Sequence, residues 1–205
     1  MSVSDPPAGS SADPVGDPIG EFKELLDRAK REETHDATAM TLATSDAAGR
    51  PSARMVLLKQ VDERGFVFFT NYGSRKAREL QANPRAALCI YWPNLAKQVR
   101  VEGLVERLPV SESDAYFASR SRHSRLGALA SRQSEPLESR KVLLARYLEL
   151  QTKYAVGAVP RPDFWGGYRL EPDRIEIWHN QLHRLHDRFL YERFEDRWRR
   201  SRLYP

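Results

Sequence analysis

Ala53-Arg54-Met55-Val56-Leu57-Leu58-Lys59-Gln60-Val61-Asp62-Glu63-Arg64-Gly65-Phe66-Val67-Phe68-Phe69-Thr70 is the stretch that decides the fold. Two runs rich in aliphatic and aromatic residues flank a polar four-residue turn ending in glycine, the pattern of a β-hairpin. The same alternation of strand and turn continues outward. Residues 39–44 form a strand that reaches residue 53 through Ser45-Asp46-Ala47-Ala48-Gly49-Arg50-Pro51. In that turn Gly49 can take a positive φ, and Pro51 keeps Arg50 out of the helical region. Residues 86–92 and 97–108 read as further strands, the second alternating cleanly until Gly103, which marks a bulge. Residues 165–170, 174–178, 184–191 and 197–203 read as four more.

Helical periodicity occupies the remainder. Residues 19–30 carry Phe22, Leu25, Leu26 and Ala29 at i, i+3, i+4 and i+7, one amphipathic helix. Ser74 is the expected N-cap of a helix running through Leu80 and closed by Asn83-Pro84. Residues 111–131 read as a helix with a break. Residues 135–154 read as a longer helix, with Leu137, Leu144, Tyr147 and Leu148 along one face. Strands joined by short turns, a helical insertion and then more strands point to a mainly β protein with α: an antiparallel β-barrel with peripheral helices. Neither GxGxxG nor GxxxxGK[ST] occurs, so the usual nucleotide loops are missing.

At 205 residues the chain has the length of one domain. Residues 1–18 are mostly Pro, Gly, Ser, Ala and Asp, the composition of a disordered tail, and residues 19–205 form a single domain. Lys and Arg outnumber Asp and Glu by 33 to 28, which favours an anionic ligand. No basic tract argues for nucleic acid. Cys89 is the only cysteine, so an intramolecular disulfide is excluded, and its apolar neighbours suit a small core residue better than a nucleophile. Neither a secretory signal nor a run of ~20 apolar residues is present, so the expectation is a soluble, cytoplasmic protein that does not enter membranes.

Four segments have the character of anion sites. Arg54 and Lys59 bracket an apolar strand centre. Ser74-Arg75-Lys76 places cations in the first turn of a helix, where the dipole disfavours them unless a phosphate is bound. Tyr116, Arg120 and Ser124 follow i, i+4, i+8 and would share a helical face. In Trp178-His179-Asn180-Gln181-Leu182-His183-Arg184-Leu185-His186-Asp187-Arg188, an extended second half projects Arg184, His186 and Arg188 to one face and Leu185 to the other. Taken singly, each is more often a solvated charged surface; four around one barrel favour binding.

Arg54-Met55-Val56-Leu57-Leu58-Lys59, Thr70-Asn71-Tyr72-Gly73-Ser74-Arg75-Lys76-Ala77, Gln133-Ser134, Phe164-Trp165-Gly166-Gly167-Tyr168 and Arg184-Leu185-His186-Asp187-Arg188 together resemble the pyridoxine/pyridoxamine 5'-phosphate oxidase family. The resemblance runs from about residue 37 to residue 205. It implies an FMN-binding split barrel and a homodimer with FMN at the interface. The implied reaction converts pyridoxine 5'-phosphate and pyridoxamine 5'-phosphate to pyridoxal 5'-phosphate, with oxygen as acceptor and hydrogen peroxide as product. The implied FMN contacts are Arg54, Met55, Val56, Leu57, Leu58, Lys59, Phe69, Thr70, Arg75, Lys76, Gln98, Gln133, Ser134, Trp178 and Arg188. Lys59, Tyr116, Arg120 and Ser124 would hold the substrate phosphate. Arg184, Leu185 and His186 would hold its ring, with Arg184 and His186 in the catalytic roles. Two phosphates require two anion sites, and the basic clusters supply them.

The chain departs from the family twice. His179-Asn180 stands where Gln-Gly is common, and an acidic Pro/Gly-rich N-terminus replaces a basic arm. Three rival readings follow. One is a split-barrel flavin oxidase acting on another reduced heterocycle. Another is a metal site at His179, His183 and His186, whose spacing suits a helix, although the segment reads as extended and lacks the HExxH glutamate. The third is a non-enzymatic flavin or nucleic-acid carrier.

Overall fold

The computed structural model describes residues 16–205. Helix α1 (Pro18–Glu32) starts where Asp17 accepts the Gly20 N–H at 2.8 Å and Pro18 occupies a first-turn position that needs no donor. Residues 1–15 of the expected tail lie outside the described residues, while Asp17 and Pro18 belong to the helix start. Phe22 is fully buried, edge-on to Phe66 at 4.9 Å and tilted against Trp92 at 5.7 Å. The Trp92 indole N–H donates to the Ala37 carbonyl at 2.9 Å, so the ring fills the core without leaving its donor unsatisfied.

Nine strands make one sheet: β1 (Ala39–Ser45), β2 (Pro51–Leu57), β3 (Gln60–Asp62), β4 (Gly65–Asn71), β5 (Arg85–Trp92), β6 (Lys97–Arg107), β7 (Trp165–His179), β8 (Asp187–Phe194) and β9 (Arg197–Leu203). Their order is β2-β1-β5-β6-β7-β4-β3, with β8 on β7 and β9 on β8. Every pairing is antiparallel. Helices α2 (Arg75–Ala82), α3 (Val110–Ser119), α4 (Arg122–Ala130) and α5 (Arg140–Lys153) occupy the connections.

The strand expected over residues 53–61 is two. After Leu57 the Leu58 side chain turns into the core, its N–H donates to the Thr38 carbonyl, and the Lys59 N–H donates to Val67. Residues 165–170 and 174–178 are, conversely, one strand. Its first part pairs with β4 and its last with β8, while β6 runs beside both, with a register shift at Glu102/Gly103. The bulge anticipated at Gly103 is therefore present. The longer helix begins at Arg140 rather than 135, because Pro136 biases Glu135 away from helical angles. No residue of α5 is fully buried; the helix packs against α4, where Tyr147 OH meets His123 Nδ1 at 2.8 Å, and Leu144 and Leu148 stay exposed.

A Cβ at Gly103 would stand 1.9 Å from the Glu171 carbonyl oxygen, which is backbone and cannot step aside. Gly103→Ala should therefore lower unfolding stability by at least about 2 kcal/mol through forced strand separation. Urea denaturation checks this, and an unchanged midpoint would refute it.

Candidate active site

A cleft of about 470 Å³ opens between the sheet and the helical insertion. One side is formed by Met55, Val56 and Leu57 on β2 and by Lys59 in the link that follows. An aromatic stack makes another: Phe69 lies 3.8 Å from Tyr116 and 5.4 Å from Trp165, all nearly parallel. Register explains the position of Phe69 on β4, paired with Gly167 and flanked by the Trp165 end of β7. Tyr116, Arg120 and Ser124 also line the cleft, though not as one helical face. Tyr116 is on α3, Arg120 is extended (φ −71°, ψ 151°) as its C-cap, and Ser124 is on α4. The break folds the two helices around the cavity, so the three residues converge by a bend instead of by periodicity.

The three cations lining this cleft, Lys59, Lys76 and Arg120, lack carboxylate partners among the described residues, and the last two are withdrawn from solvent. Lys76 is buried, and its Nζ donates to Thr70 Oγ1 at 3.2 Å and Gln133 Oε1 at 3.1 Å. Burial, then the positive charge of Arg54, lower its pKa to about 8, against the opposing pull of Glu79. Arg120 lies 4.7 Å over the Trp165 ring with Nη1 buried and unbonded, and burial lowers its pKa too. Beside Lys76, the Ser74 hydroxyl is buried without any partner. Ser74 holds the N-cap position of α2, but its side chain does not cap the helix, contrary to expectation. An orphan hydroxyl, a buried ammonium and the free N–H groups of a helix start suit a phosphate oxygen cluster.

The other arginines at this end are partnered. Glu79 accepts from Arg75 Nε at 2.7 Å and from Arg54 Nη2 at 3.2 Å, and also from Thr44 and Ser52. Neither Arg54 nor Arg75 lines the cleft itself. Ser134, with φ 72°, lies beyond the cleft in the turn before α5.

A second group stands apart. Gln98, Trp178 and Arg188 are register partners on β6, β7 and β8 and do not line the cleft. Arg188 grips Glu176 with two bonds, at 2.7 and 3.1 Å, which raises its pKa. The reading of residues 184–191 as one strand is corrected: Leu182–Arg184 is a 3-10 turn, and β8 starts at Asp187. His183 and Arg184 both take left-handed angles (φ 58° and 63°), so Arg184, His186 and Arg188 do not share a strand face. Leu185 is exposed, not directed into the core. His186 packs against Trp178 with ring centres 4.6 Å apart and planes tilted by 48°, and accepts the Gln181 N–H at Nδ1, which leaves the proton of the neutral ring on Nε2.

The three histidines of the metal alternative sit on different elements. His179 ends β7 and takes a bond of 2.6 Å from Lys97 at Nδ1, and burial followed by that ammonium lowers its pKa. Among the described residues no cluster of three ligating side chains occurs, and no helix is long and apolar enough to cross a membrane. Cys89 is half-buried, and burial raises its thiol pKa. Sequence reasoning overlooked Glu79 and the wall residue Trp165. For Glu79 a signal existed, its i, i+4 spacing from Arg75.

Fold and cleft together define an antiparallel barrel-like sheet protein built to take planar, anionic ligands. A family model described as "Pyridoxamine 5'-phosphate oxidase" matches residues 26–154, and one described as "Pyridoxine 5'-phosphate oxidase C-terminal dimerisation region" matches residues 165–205. The chain is 57% identical over 198 residues to a pyridoxine/pyridoxamine 5'-phosphate oxidase of Rubrobacter xylanophilus, covering 97% of this chain and 90% of that one. It is also 57% identical to one from Myxococcus xanthus, covering 92% of each. Among solved structures, PhzG from Burkholderia lata, in complex with tetrahydrophenazine-1-carboxylic acid, superposes with a TM-score of 0.89 at 36% identity, over 94% of this chain and 95% of that one. A related FMN-binding protein from Nostoc punctiforme gives 0.74 at 20% identity, over 93% and 98%, which bears on the fold alone. The chain belongs to the pyridoxamine 5'-phosphate oxidase family, and its fold is the split barrel of those neighbours.

Lys76 is a buried cation held at a cost to the fold. Because its folded pKa is depressed, the ligand-free protein carries the penalty fully below pH 8 and sheds it as pH rises from about 8 towards the ordinary lysine value. Lys76→Met should therefore melt above wild type at pH 7, with the gap closing across that window, and should lose stabilisation by added phosphate. Thermal melts at several pH values would reveal a contrary order.

Proposed function

We propose that this protein is a cytoplasmic, FMN-dependent oxidase that converts pyridoxine 5'-phosphate and pyridoxamine 5'-phosphate to pyridoxal 5'-phosphate, reducing oxygen to hydrogen peroxide. The observation that carries the reading is a pair of desolvated cations without carboxylate partners, the buried Lys76 and the half-buried Arg120, in one cleft bounded by an aromatic stack. Two such cations call for two anions, and FMN and a phosphorylated substrate bring one each. The relatives at 57% identity carry that activity in their names.

On this reading the FMN phosphate sits at Lys76, Arg75 and Ser74, with Arg54 close by. Thr70 and Gln133, already bonded to each other at 3.0 Å, and the edge formed by Met55 to Lys59 border the flavin. The orphan Ser74 hydroxyl is the observation that fits the group most directly. Bound FMN supplies the hydride acceptor that neither phosphate site nor any side chain here provides. Lys59, Tyr116, Arg120 and Ser124 grip the substrate phosphate. Burial raises the Tyr116 pKa, so its hydroxyl stays protonated and donates. Arg184 positions and polarises the substituent at C4', and His186 offers its Nε2 proton to the substrate. Leu185 covers the ring against water.

Gln98, Trp178 and Arg188, with the Arg184 turn, reach this cleft from the partner protomer of a homodimer. Support comes from their absence from the cleft within one chain and from the match of residues 165–205 to a dimerisation region. A second reading, oxidation of another reduced heterocycle, is favoured by the tetrahydrophenazine ligand of the Burkholderia lata structure. That substrate carries a carboxylate and no phosphate, which leaves part of the Lys59, Arg120 and Ser124 grip without purpose.

Anaerobic titration of the purified yellow protein with pyridoxamine 5'-phosphate should bleach the flavin, and readmitted oxygen should restore it with release of peroxide. A flavoprotein that fails to bleach indicates a carrier, and one bleached only by reduced phenazines indicates the second reading. Arg184→Ala should keep its FMN while turnover falls about a hundredfold, the usual consequence of a misplaced reacting group. Mixing Lys76→Met with Arg184→Ala should restore about a quarter of wild-type activity, since half the re-formed dimers hold one intact site of two. No recovery after exchange would refute a site shared between protomers.

A further inference from the structure

Glu79 has no part in the reaction as described, yet it organises the end of the cleft where Lys76 lies. Its side chain is only 6% exposed, and it is the one carboxylate among the described residues paired with either Arg54 or Arg75. Burial works to raise its pKa, but bonds from Ser52, Thr44, Arg75 and Arg54 overcome that and bring it down to about 2. It is therefore charged at every working pH.

The two arginines use that charge differently. Arg75 gives Glu79 only its Nε, leaving both terminal nitrogens without partners among the described residues. Arg54 spends both terminal nitrogens, on the Leu42 carbonyl, Thr44, Ser52 and Glu79, and keeps only Nε open. Arg75 is thus a fork held at its root and free at its tips, on the first residue of α2 beside Lys76. Arg54 is a fixed charge set into the sheet. Glu79 also offsets the repulsion between Arg54 and Lys76.

We propose that Glu79 is the positioning residue of the flavin phosphate site: one buried carboxylate, reaching from α2 to β2, sets the fork of Arg75 and anchors Arg54 for the phosphate. The inference rests on the placement of the FMN phosphate given above. Its sign separates it from plain electrostatics. A carboxylate near a phosphate repels it, so removing the charge without a positioning role tightens phosphate binding. Removing it with a positioning role releases the fork and weakens binding.

The experiment compares FMN with riboflavin, which lacks only the phosphate, by flavin fluorescence quenching on the full chain freed of flavin. In Glu79→Gln the preference for FMN over riboflavin should fall about tenfold, while riboflavin affinity stays within about twofold of wild type. An unchanged or increased preference overturns the inference, as does an equal loss for both ligands, which would mark a merely structural role. A wild-type protein with no preference for FMN overturns instead the placement of the phosphate. Should Glu79→Gln not fold, Glu79→Asp keeps the charge but draws it back by one methylene. Its preference should fall about threefold, and an unchanged preference there also overturns the inference.

Discussion

The carbonyl of Glu171 comes so near Gly103 that a methyl group there would lie 1.9 Å from it, and this close approach sets the place where β7 changes partners. Before it, Trp165 to Leu170 lie along β4, which brings Trp165 beside Phe69 and builds the aromatic wall. After it, Arg174 to His179 lie along β8, which sets Gln98, Trp178 and Arg188 abreast. A single strand with one irregularity thus carries two groups of residues that do not face the same cavity. In the proposed homodimer, a two-fold axis lets the first group of one protomer face the second group of another, without any change in either.

Cations inside the cleft and outside it are handled differently. Arg54 and Arg75 are tied to Glu79, and Arg188 to Glu176, pairings that fix a guanidinium before any ligand arrives. Lys76 and Arg120 have no such partner and carry the desolvation cost in their lowered pKa values. The paired arginines supply geometry, and the unpaired cations supply the free energy that an incoming anion releases. A cleft of paired cations alone would hold its shape but gain little on binding.

Most of the sheet was legible because half-buried strands announce themselves by alternation and their turns by glycine and proline. The Gly103 bulge, the hairpin through Gly65 and the break between α3 and α4 were all visible in this way. Three features were not. A continuous β7 was hidden by Pro172, which interrupts the pattern but sits at the bulge where no ladder donor is needed. The kink at Leu58 was hidden because Leu57 and Leu58 both look apolar, although only Leu58 enters the core. The role of Glu79 was hidden because a carboxylate among arginines reads as a solvated pair, and its burial depends on β1 and β2 lying across it.

The turn at His183-Arg184 shows where periodicity fails. Two successive residues with a Cβ hold left-handed angles, a conformation that costs about 1 kcal/mol or more each and that the local preference of Arg does not support. The surroundings hold it: the Leu185 N–H donates to the Leu182 carbonyl, Gln181 fastens His186 through its backbone and Asp187 through its side chain, and Trp178 packs at a tilt against the imidazole. These contacts are all made by residues flanking the turn, and none by Arg184 itself. The guanidinium is therefore aimed by backbone and neighbours while all five of its donors stay unspent. An extended Arg184, as alternation would have it, would lie along the strand with its neighbours. The strained turn lifts it out of the sheet instead, where it stands exposed.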